Sequence, residues 1–234
     1  MAAKDIVIAL LPRTSLFAEL AADDLMACAA AFGEMRFAKG ETIFARGDRG
    51  TYLYLVENGR VRLSVSASSE RKLSFRHAGP GDLFGEIAAL DGGPRSADAT
   101  AITEVTAHGL ERNAFRALSS ERPALAARVV TLLCGRLRET TTQFEVVALL
   151  PLQMRLARFL VSALAGRSAP PGKRVPLELG FSQAELSQFL GASRPKVNAA
   201  MSRLEKAGAI GRTLDRVFCD PVKLAEIAAR SADA

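Results

Sequence analysis

The sequence predicts an α+β fold with an antiparallel β-rich N-terminal half, one long helix and a helical C-terminal half. Three observations predict it: short apolar runs between glycine turns, an apolar stripe at helical spacing, and a late series of helix starts and tight turns. These patterns occupy, in order, residues 32–106, 123–150 and 182–221. The predicted domains are residues 1–118, 119–150 and 151–234.

Composition describes a globular chain of 234 residues with 49% hydrophobic and 24% charged residues. The formal charge of +6 favours an anionic partner, either nucleic acid or a ligand phosphate. Three separated cysteines and two histidines offer no metal-binding spacing, so no metal is expected. The apolar run Ile6–Leu11 is too short to cross a membrane and lacks a basic start and a cleavage site. We therefore predict a protein of the reducing cytoplasm with no membrane partner.

The β-rich region begins after a short helix that starts near Asp23. Its clearest signal is the dipeptide Asn58-Gly59 between the runs Tyr52–Val56 and Val61–Val65, because both turn residues tolerate positive φ. This pattern predicts a hairpin. Further glycine turns at regular spacing predict an antiparallel barrel or jelly roll, which is a β-roll domain.

One segment of this region, Phe84–Ala97, has the residues of an anion-binding loop. Its glycines allow a tight turn and close approach of a ligand, and Arg95 offers a forked cation suited to phosphate. Ser96 adds a hydroxyl group, while Gly85 precedes Glu86, whose carboxylate can accept hydrogen bonds from sugar hydroxyls. The alternative is a surface turn whose charged side chains are only solvated.

The helical pattern begins after Ala114 and includes one long helix from Pro123 to about Leu150. Its apolar stripe has alternating gaps of four and three residues, which is the period of a coiled coil. This seam consists of Ala126, Val130, Leu133, Leu137, Thr140, Phe144 and Val147. We expect two copies of the helix to pair along it, forming a homodimer; the alternative is that the stripe packs against the β-roll.

The last third of the chain predicts a winged helix-turn-helix. Ser182–Glu185 has the form of a capping box, and Gly191 stands where such a motif needs its tight turn. The second helix starts near Ser193 and presents an apolar inner face, and Gly208–Cys219 is predicted to form a two-stranded wing. The alternative, a helix-turn-helix buried inside an enzyme, lacks support from any nucleophile–base pair.

Residues at the start of this second helix would reach base edges in the major groove of double-stranded DNA. Arg194 can donate two hydrogen bonds to guanine, whereas Lys196, Asn198 and Arg203 suit bases or phosphates. Pro195 disfavours helical geometry at the residue before it, so Arg194 could instead lie just outside the helix and contact a phosphate.

Taken together, Glu86, Arg95 and Ser96 resemble the phosphate-binding cassette of cyclic-nucleotide-binding domains, and the chain resembles the CRP/FNR superfamily of transcription regulators. The resemblance implies that the glutamate holds the ribose 2′-hydroxyl and that the arginine and serine hold the cyclic phosphate. It also implies that Arg136 steadies the glutamate.

The resemblance extends to a Thr140-Thr141 pair on the long helix. In the family, such a pair bonds the adenine amino group, the first residue from the ligand's own subunit and the second from its partner. Ser96 stands where guanine-preferring domains often carry threonine, so cyclic AMP is expected over cyclic GMP. The chain departs from well-known members at Pro195 and Ala199, where they carry glutamate and arginine, so the operator cannot be carried over.

The function that this resemblance implies is that of a cyclic-nucleotide-responsive homodimeric transcription regulator, not an enzyme. Its partners would be a DNA operator and a second copy of the chain, with RNA polymerase as a further candidate. The competing hypothesis is a regulator of the same fold that acts without a ligand or senses another signal.

Overall fold

A computed structural model describes residues 3–66, 72–164, 173–177, 183–213 and 216–229. The chain divides into two compact units. The first comprises Met1–Ser66 and Phe75–Glu139, and the second comprises Ala67–Ser74 and Thr140–Ala234. Ser182, the first residue of the predicted capping box, and Asp215, within the predicted wing, lie outside the described residues.

The N-terminal part begins with helices, continues with the β-rich region and ends in the long helix. The helices up to residue 149 are α1 Ala3–Leu10, α2 Ala22–Ala30, α3 Glu86–Asp91, α4 Arg112–Glu121 and α5 Pro123–Leu149. The strands are β1 Phe32–Phe37, β2 Thr42–Phe44, β3 Tyr52–Asn58, β4 Val61–Ser66, β5 Lys72–Ala78, β6 Leu83–Phe84, β7 Asp98–Ala101 and β8 Val105–Glu111. A 3-10 turn, Leu11–Arg13, follows α1.

Two four-stranded sheets form the β-roll, with strand orders β1-β8-β3-β6 and β2-β7-β4-β5. Strand β3 is buried on both faces because its side chains alternate between two apolar clusters. Leu53 and Leu55 pack with the N-terminal helices, α4 and α5, whereas Tyr54 and Val56 pack with residues from the other sheet. The predicted antiparallel β-roll is therefore confirmed.

The predicted hairpin between β3 and β4 is wrong, because the two strands belong to different sheets. Asn58 and Gly59 do form a tight turn, with Gly59 at φ 89°. The register of β3 against β8 shifts between Val56 and Asn58, and a Cβ on Gly59 would collide with the backbone oxygen of Glu104. The turn therefore packs across the chain and directs β4 into the second sheet, forming a corner.

The long helix α5 exposes the predicted seam to solvent. Val130, Leu137 and Phe144 are 63%, 68% and 74% exposed, although they are large apolar residues. By contrast, Leu125 and Leu132, on another face, are buried in the first unit. The alternative that the seam packs against the β-roll is therefore wrong for Val130 and Leu137, which belong to the first unit.

The second unit contains the predicted helix-turn-helix. Its elements after α5 are α6 Leu152–Ala163, β9 Val175–Leu177, α7 Gln183–Leu190, α8 Arg194–Lys206, β10 Ile210–Arg212, β11 Val217–Cys219 and α9 Pro221–Ala229. One apolar cluster joins α6, α7, α8 and α9 to the sheet. Asp220 caps α9, because its Oδ1 accepts hydrogen bonds from the Val222 and Lys223 amides.

The wing is three-stranded, whereas the sequence predicts two strands. Strand β9 is an edge strand that pairs with β11, placing Pro176 opposite Phe218. A proline is tolerated on an edge strand because its missing N–H need not join a ladder. Among the described residues, no helix is both long enough and apolar enough to cross a membrane.

Candidate functional site

The predicted anion-binding loop contains a short helix, α3, between two left-handed glycines. Gly85 has φ 72° and Gly92 has φ 77°, a backbone conformation that favours glycine. A Cβ on Gly85 would lie 2.8 Å from Arg95 Nη1 and 3.2 Å from the rings of Phe44 and Tyr54. Glycine is therefore required here both by the turn and by the close approach of these side chains.

Arg95 is the central residue of this loop and is only 4% exposed. Its Nη1 donates a hydrogen bond to the Gly85 carbonyl at 2.6 Å, and its guanidinium carbon lies 4.1 Å from the centroid of the Phe44 ring. Its backbone is fixed as well, because its amide donates to the Asp48 carbonyl at 2.8 Å and its carbonyl accepts from the Gly47 amide at 2.9 Å. The carbonyl of Gly85 therefore holds the side chain of Arg95, and the turn at Gly47-Asp48 holds its backbone.

The guanidinium of Arg95 is a desolvated cation. Burial lowers its pKa, and the nearby Tyr54, Asp48 and Glu86 side chains offset part of that effect. Its Nε is buried and has no hydrogen-bond partner in the described structure. Burying a polar group without a partner is costly, and residues that retain one are often found at functional sites. This arrangement suits the binding of an anion.

Three aromatic rings support Arg95 and were not identified from the sequence. Tyr54 stacks on Phe84 with ring centroids 4.9 Å apart and on Phe44 at 6.0 Å. The rings come from β3, β6 and β2, so they connect the two sheets behind the guanidinium. A cation over an aromatic face gains about 0.5–2 kcal/mol, the larger value when it is desolvated.

Glu86 and Arg136, both predicted as site residues, are brought together by the fold. Arg136 Nε lies 2.7 Å from Glu86 Oε1, and the Glu86 side chain is only 5% exposed. Arg136 also bonds Glu139 at 3.0 Å and the Leu83 carbonyl at 3.0 Å. The carboxylate is therefore held at the start of α3, within the electrostatic reach of Arg95.

The remaining predicted ligand residues are on the surface. Ser96 directly follows Arg95 and is exposed. Thr140 and Thr141 are also exposed, on the part of α5 that belongs to the second unit. Within the described residues, no group of three or more histidine, cysteine or acidic side chains is arranged to hold a metal ion.

The second candidate site is the start of α8. Gly191 has φ 62° and makes the turn after α7, and Ser193 is the N-cap of α8, although its side chain makes no capping bond. Arg194 is the first residue of the helix and Pro195 the second, so the predicted start of the helix is confirmed and the alternative that Arg194 lies just outside it is wrong. Proline is tolerated in the first turn because its missing N–H has no helical partner to lose.

The predicted DNA-contacting residues are all exposed, while one face of α8 is buried. The buried residues are Val197, Ala200, Met201 and Leu204. The exposed ones are Ser193, Arg194, Lys196, Asn198 and Arg203. Arg212 of β10 bonds Glu205 of α8 at 2.5 Å, which ties the wing to the helix; this pair raises the pKa of Arg212 and lowers that of Glu205.

The net charge of the chain is concentrated in its C-terminal part. Residues 140–234 contain 13 lysines and arginines against 8 aspartates and glutamates, so five of the six excess positive charges are found there. A positively charged domain that exposes the first turn of a helix suits the phosphate backbone and groove of DNA.

Comparisons with known proteins match a domain family to each half of the chain. The cyclic nucleotide-binding domain family matches residues 34–122, and the Crp-like helix-turn-helix domain family matches residues 154–227. A CRP-like cAMP-activated global transcriptional regulator of Mycobacterium tuberculosis is 30% identical over 199 residues, covering 85% of this chain and 89% of its own. The cyclic AMP receptor protein of Thermus thermophilus is 30% identical over 195 residues, covering 83% and 87%.

A solved structure shows the same fold. The c-di-GMP-responsive global regulator CLP of Xanthomonas campestris aligns with a TM-score of 0.71 and 22% identity, over 85% of this chain and 99% of its own. Two family models in the expected order, and relatives that match across most of both chains, establish the relationship. The chain therefore belongs to the CRP/FNR family of cyclic-nucleotide-binding transcription regulators, which are DNA-binding proteins and not enzymes.

Proposed function

We propose that this protein is a homodimeric transcription regulator that binds cyclic AMP as its allosteric ligand. The observation that carries the proposal is Arg95, a buried guanidinium with an unpartnered Nε, fixed beside Glu86 in a glycine-flanked loop. Two relatives at 30% identity are named for cyclic AMP, which supports this ligand. A cyclic phosphate supplies a negative charge and acceptor oxygens that a guanidinium can bind with charge-assisted hydrogen bonds.

Each ligand group has a candidate partner in the chain. Arg95 and Ser96 would hold the cyclic phosphate, and Glu86, with the backbone at Gly85, would accept the ribose hydroxyl. Arg136 already bonds one oxygen of Glu86, leaving Oε2 for the ligand. These roles are the ones that the family resemblance implies, and the charge and hydrogen-bonding capacity of each group suit them.

Selectivity for the base is proposed to come from Thr140 and Thr141. Their hydroxyl groups can accept hydrogen bonds from the amino group of adenine. The same groups can also donate to a guanine oxygen, so discrimination against cyclic GMP is expected to be modest. The proposed second threonine contact comes from the partner subunit and requires a dimer.

The dimer is proposed to form along the seam of α5. Its apolar side chains are exposed in the single chain, and an apolar stripe of this length usually marks an interaction surface. The seven seam positions keep the period of 3.5 residues expected for two paired helices. Ligand binding would change how the two α5 helices pack, and so reorient the recognition helices on the operator.

Titration calorimetry tests the ligand, using cyclic AMP, cyclic GMP and cyclic di-GMP as separate arms. We expect saturable binding of one cyclic AMP per chain, with weaker binding of cyclic GMP. Tighter binding of cyclic di-GMP would identify that nucleotide as the ligand in place of cyclic AMP. Binding of none of the three would favour a regulator that acts without a nucleotide. The titrated protein is the full chain.

DNA footprinting with and without cyclic AMP then tests the coupling. We expect protected half-sites about one helical turn apart, with protection that increases when the nucleotide is added. Equal protection in both conditions would identify a ligand-independent regulator.

Contact with RNA polymerase and a cytoplasmic location remain predictions.

A further inference from the structure

Two arginines converge on one backbone carbonyl next to the proposed nucleotide site. Arg76 Nη1 and Arg136 Nη2 each donate a hydrogen bond to the oxygen of Leu83 at 3.0 Å. Both side chains are 18% exposed, so two desolvated guanidinium groups meet at this point. Arg76 comes from β5, and Arg136 comes from α5.

This carbonyl belongs to β6, which consists of only Leu83 and Phe84 and leads directly into Gly85 and Glu86. A strand of two residues makes few ladder hydrogen bonds, so side-chain contacts contribute strongly to its position. Arg136 holds this segment twice, through the Leu83 carbonyl and through Glu86. Arg76 provides a second attachment that does not depend on α5.

The charges around Glu86 add a second link to Arg76. Burial lowers the pKa of Arg76, the positive charge of Arg136 lowers it further, and Glu86, Asp82 and Glu139 oppose that effect. Arg76 Nη2 is 3.8 Å from Asp82 Oδ1, which is too long for a strong pairing. The fold thus keeps a second cation close to Arg136 and within electrostatic reach of Glu86.

We propose that Arg76 is a positioning residue for Glu86: by holding the Leu83 carbonyl, it sets where the Glu86 carboxylate meets the ribose 2′-hydroxyl of the bound nucleotide. The inference rests on the proposed cyclic-nucleotide site and adds a residue on which its affinity for ribose depends. Arg76 touches neither phosphate nor base in this scheme. Its effect is therefore confined to ligands that carry the 2′-hydroxyl.

Paired titrations with cyclic AMP and 2′-deoxy cyclic AMP test this role. The wild-type protein should prefer cyclic AMP, and Glu86→Ala should abolish the preference. In Arg76→Leu we expect the affinity for cyclic AMP to fall about tenfold, while that for the deoxy nucleotide stays unchanged. A purely structural role would weaken both ligands equally.

Arg128→Leu is the matched control. Arg128 is also a partly buried arginine of the first unit that bonds a backbone carbonyl, that of Ser15 at 2.9 Å, and its side chain is 20% exposed. It should leave both affinities unchanged. If Arg76→Leu does not fold, Arg76→Met removes the donor while keeping an unbranched apolar stem and supplies the same comparison.

The outcomes separate the two proposals. A wild-type protein that binds neither nucleotide overturns the proposed ligand and the role of Arg76 with it. If the wild-type protein prefers cyclic AMP, two results for Arg76→Leu overturn only the role of Arg76. In one the variant keeps the full preference, and in the other its affinity falls equally for both nucleotides.

Discussion

Replacing Arg95 with leucine tests the proposed anion site most directly. The folded protein would lose the hydrogen bond to the Gly85 carbonyl, about 1 kcal/mol, and the contact with the Phe44 ring, about 1–2 kcal/mol. It would also be relieved of a desolvated guanidinium with an unpartnered Nε. Because these effects oppose one another, we expect the free energy of unfolding to change by about 1 kcal/mol or less.

Nucleotide binding responds very differently to the same change. Removing one partner of a buried, hydrogen-bonded charge pair costs roughly 2–5 kcal/mol, so the dissociation constant for cyclic AMP should rise about 30- to 4000-fold. Calorimetry measures that constant, and thermal unfolding without ligand checks the fold. Binding of Arg95→Leu with near wild-type affinity would refute the assignment of the phosphate site.

Arg49→Leu is the control for a general electrostatic effect. The backbone of Arg49 bridges to Pro94, next to Arg95, but its side chain is exposed to solvent. An exposed charge contributes little beyond long-range attraction that salt screens, so we expect no more than a small change in affinity. An equal loss in both variants would mean that positive charge in this region, and not the geometry of Arg95, determines binding.

The other predictions concern the seam, the DNA contacts and the thiols. Leu137→Asp would place a carboxylate in the seam of each helix, so the dimer dissociation constant, measured by analytical ultracentrifugation, should rise about 100-fold. Leu149→Asp changes a residue that is almost equally exposed but lies off the seam, and it should leave that constant unchanged. Arg194→Ala should lose about 1–3 kcal/mol of binding free energy on the specific operator and relax the base preference at one base pair per half-site. Lys196→Ala should instead weaken binding to specific and random DNA alike and reduce the slope of affinity against salt by about one. Unchanged base preference in Arg194→Ala would indicate that Arg194 contacts a phosphate. At pH 8, a thiol reagent should label Cys134 alone in the folded protein, as counted by mass spectrometry, because Cys134 is exposed. Burial raises the pKa of the Cys28 and Cys219 thiols to about 11, which keeps both protonated at pH 8. Rapid labelling at more than one position would contradict that burial.

Sequence patterns predicted the charged residues of the cassette but not their environment. Glu86 and Arg95 lie in one short segment, so the sequence alone shows them together. The role of Arg136 was predicted from the family resemblance. The burial of Arg95 could not be predicted, because arginine is usually exposed and its aromatic support comes from three separate strands. Arg76 gave no signal either, since its partner is a backbone carbonyl.

Turn chemistry predicted the turn at Asn58-Gly59 but not the sheet that receives the following strand. Local residues determine whether the backbone can reverse, which Gly59 permits at φ 89°. Pairing depends on the bulge in β3 and on the contact with Glu104, a residue 45 positions away. Helix α8 was easier to predict, because one period of 3.6 residues separates its buried and exposed faces.

The charges of the cassette connect its stability to its proposed ligand. Arg76, Arg95 and Arg136 all interact electrostatically with Glu86, so three largely buried cations share one buried carboxylate. An anion bound against Arg95 lowers the repulsion among them, and this gain exists only in the folded state. Binding and folding are therefore coupled, by about 2.7 kcal/mol when the ligand is present at one hundred times its dissociation constant. Under the proposed function, the desolvation of this arginine would make its response to a phosphate large, which would offset the cost of burying it at the centre of the loop.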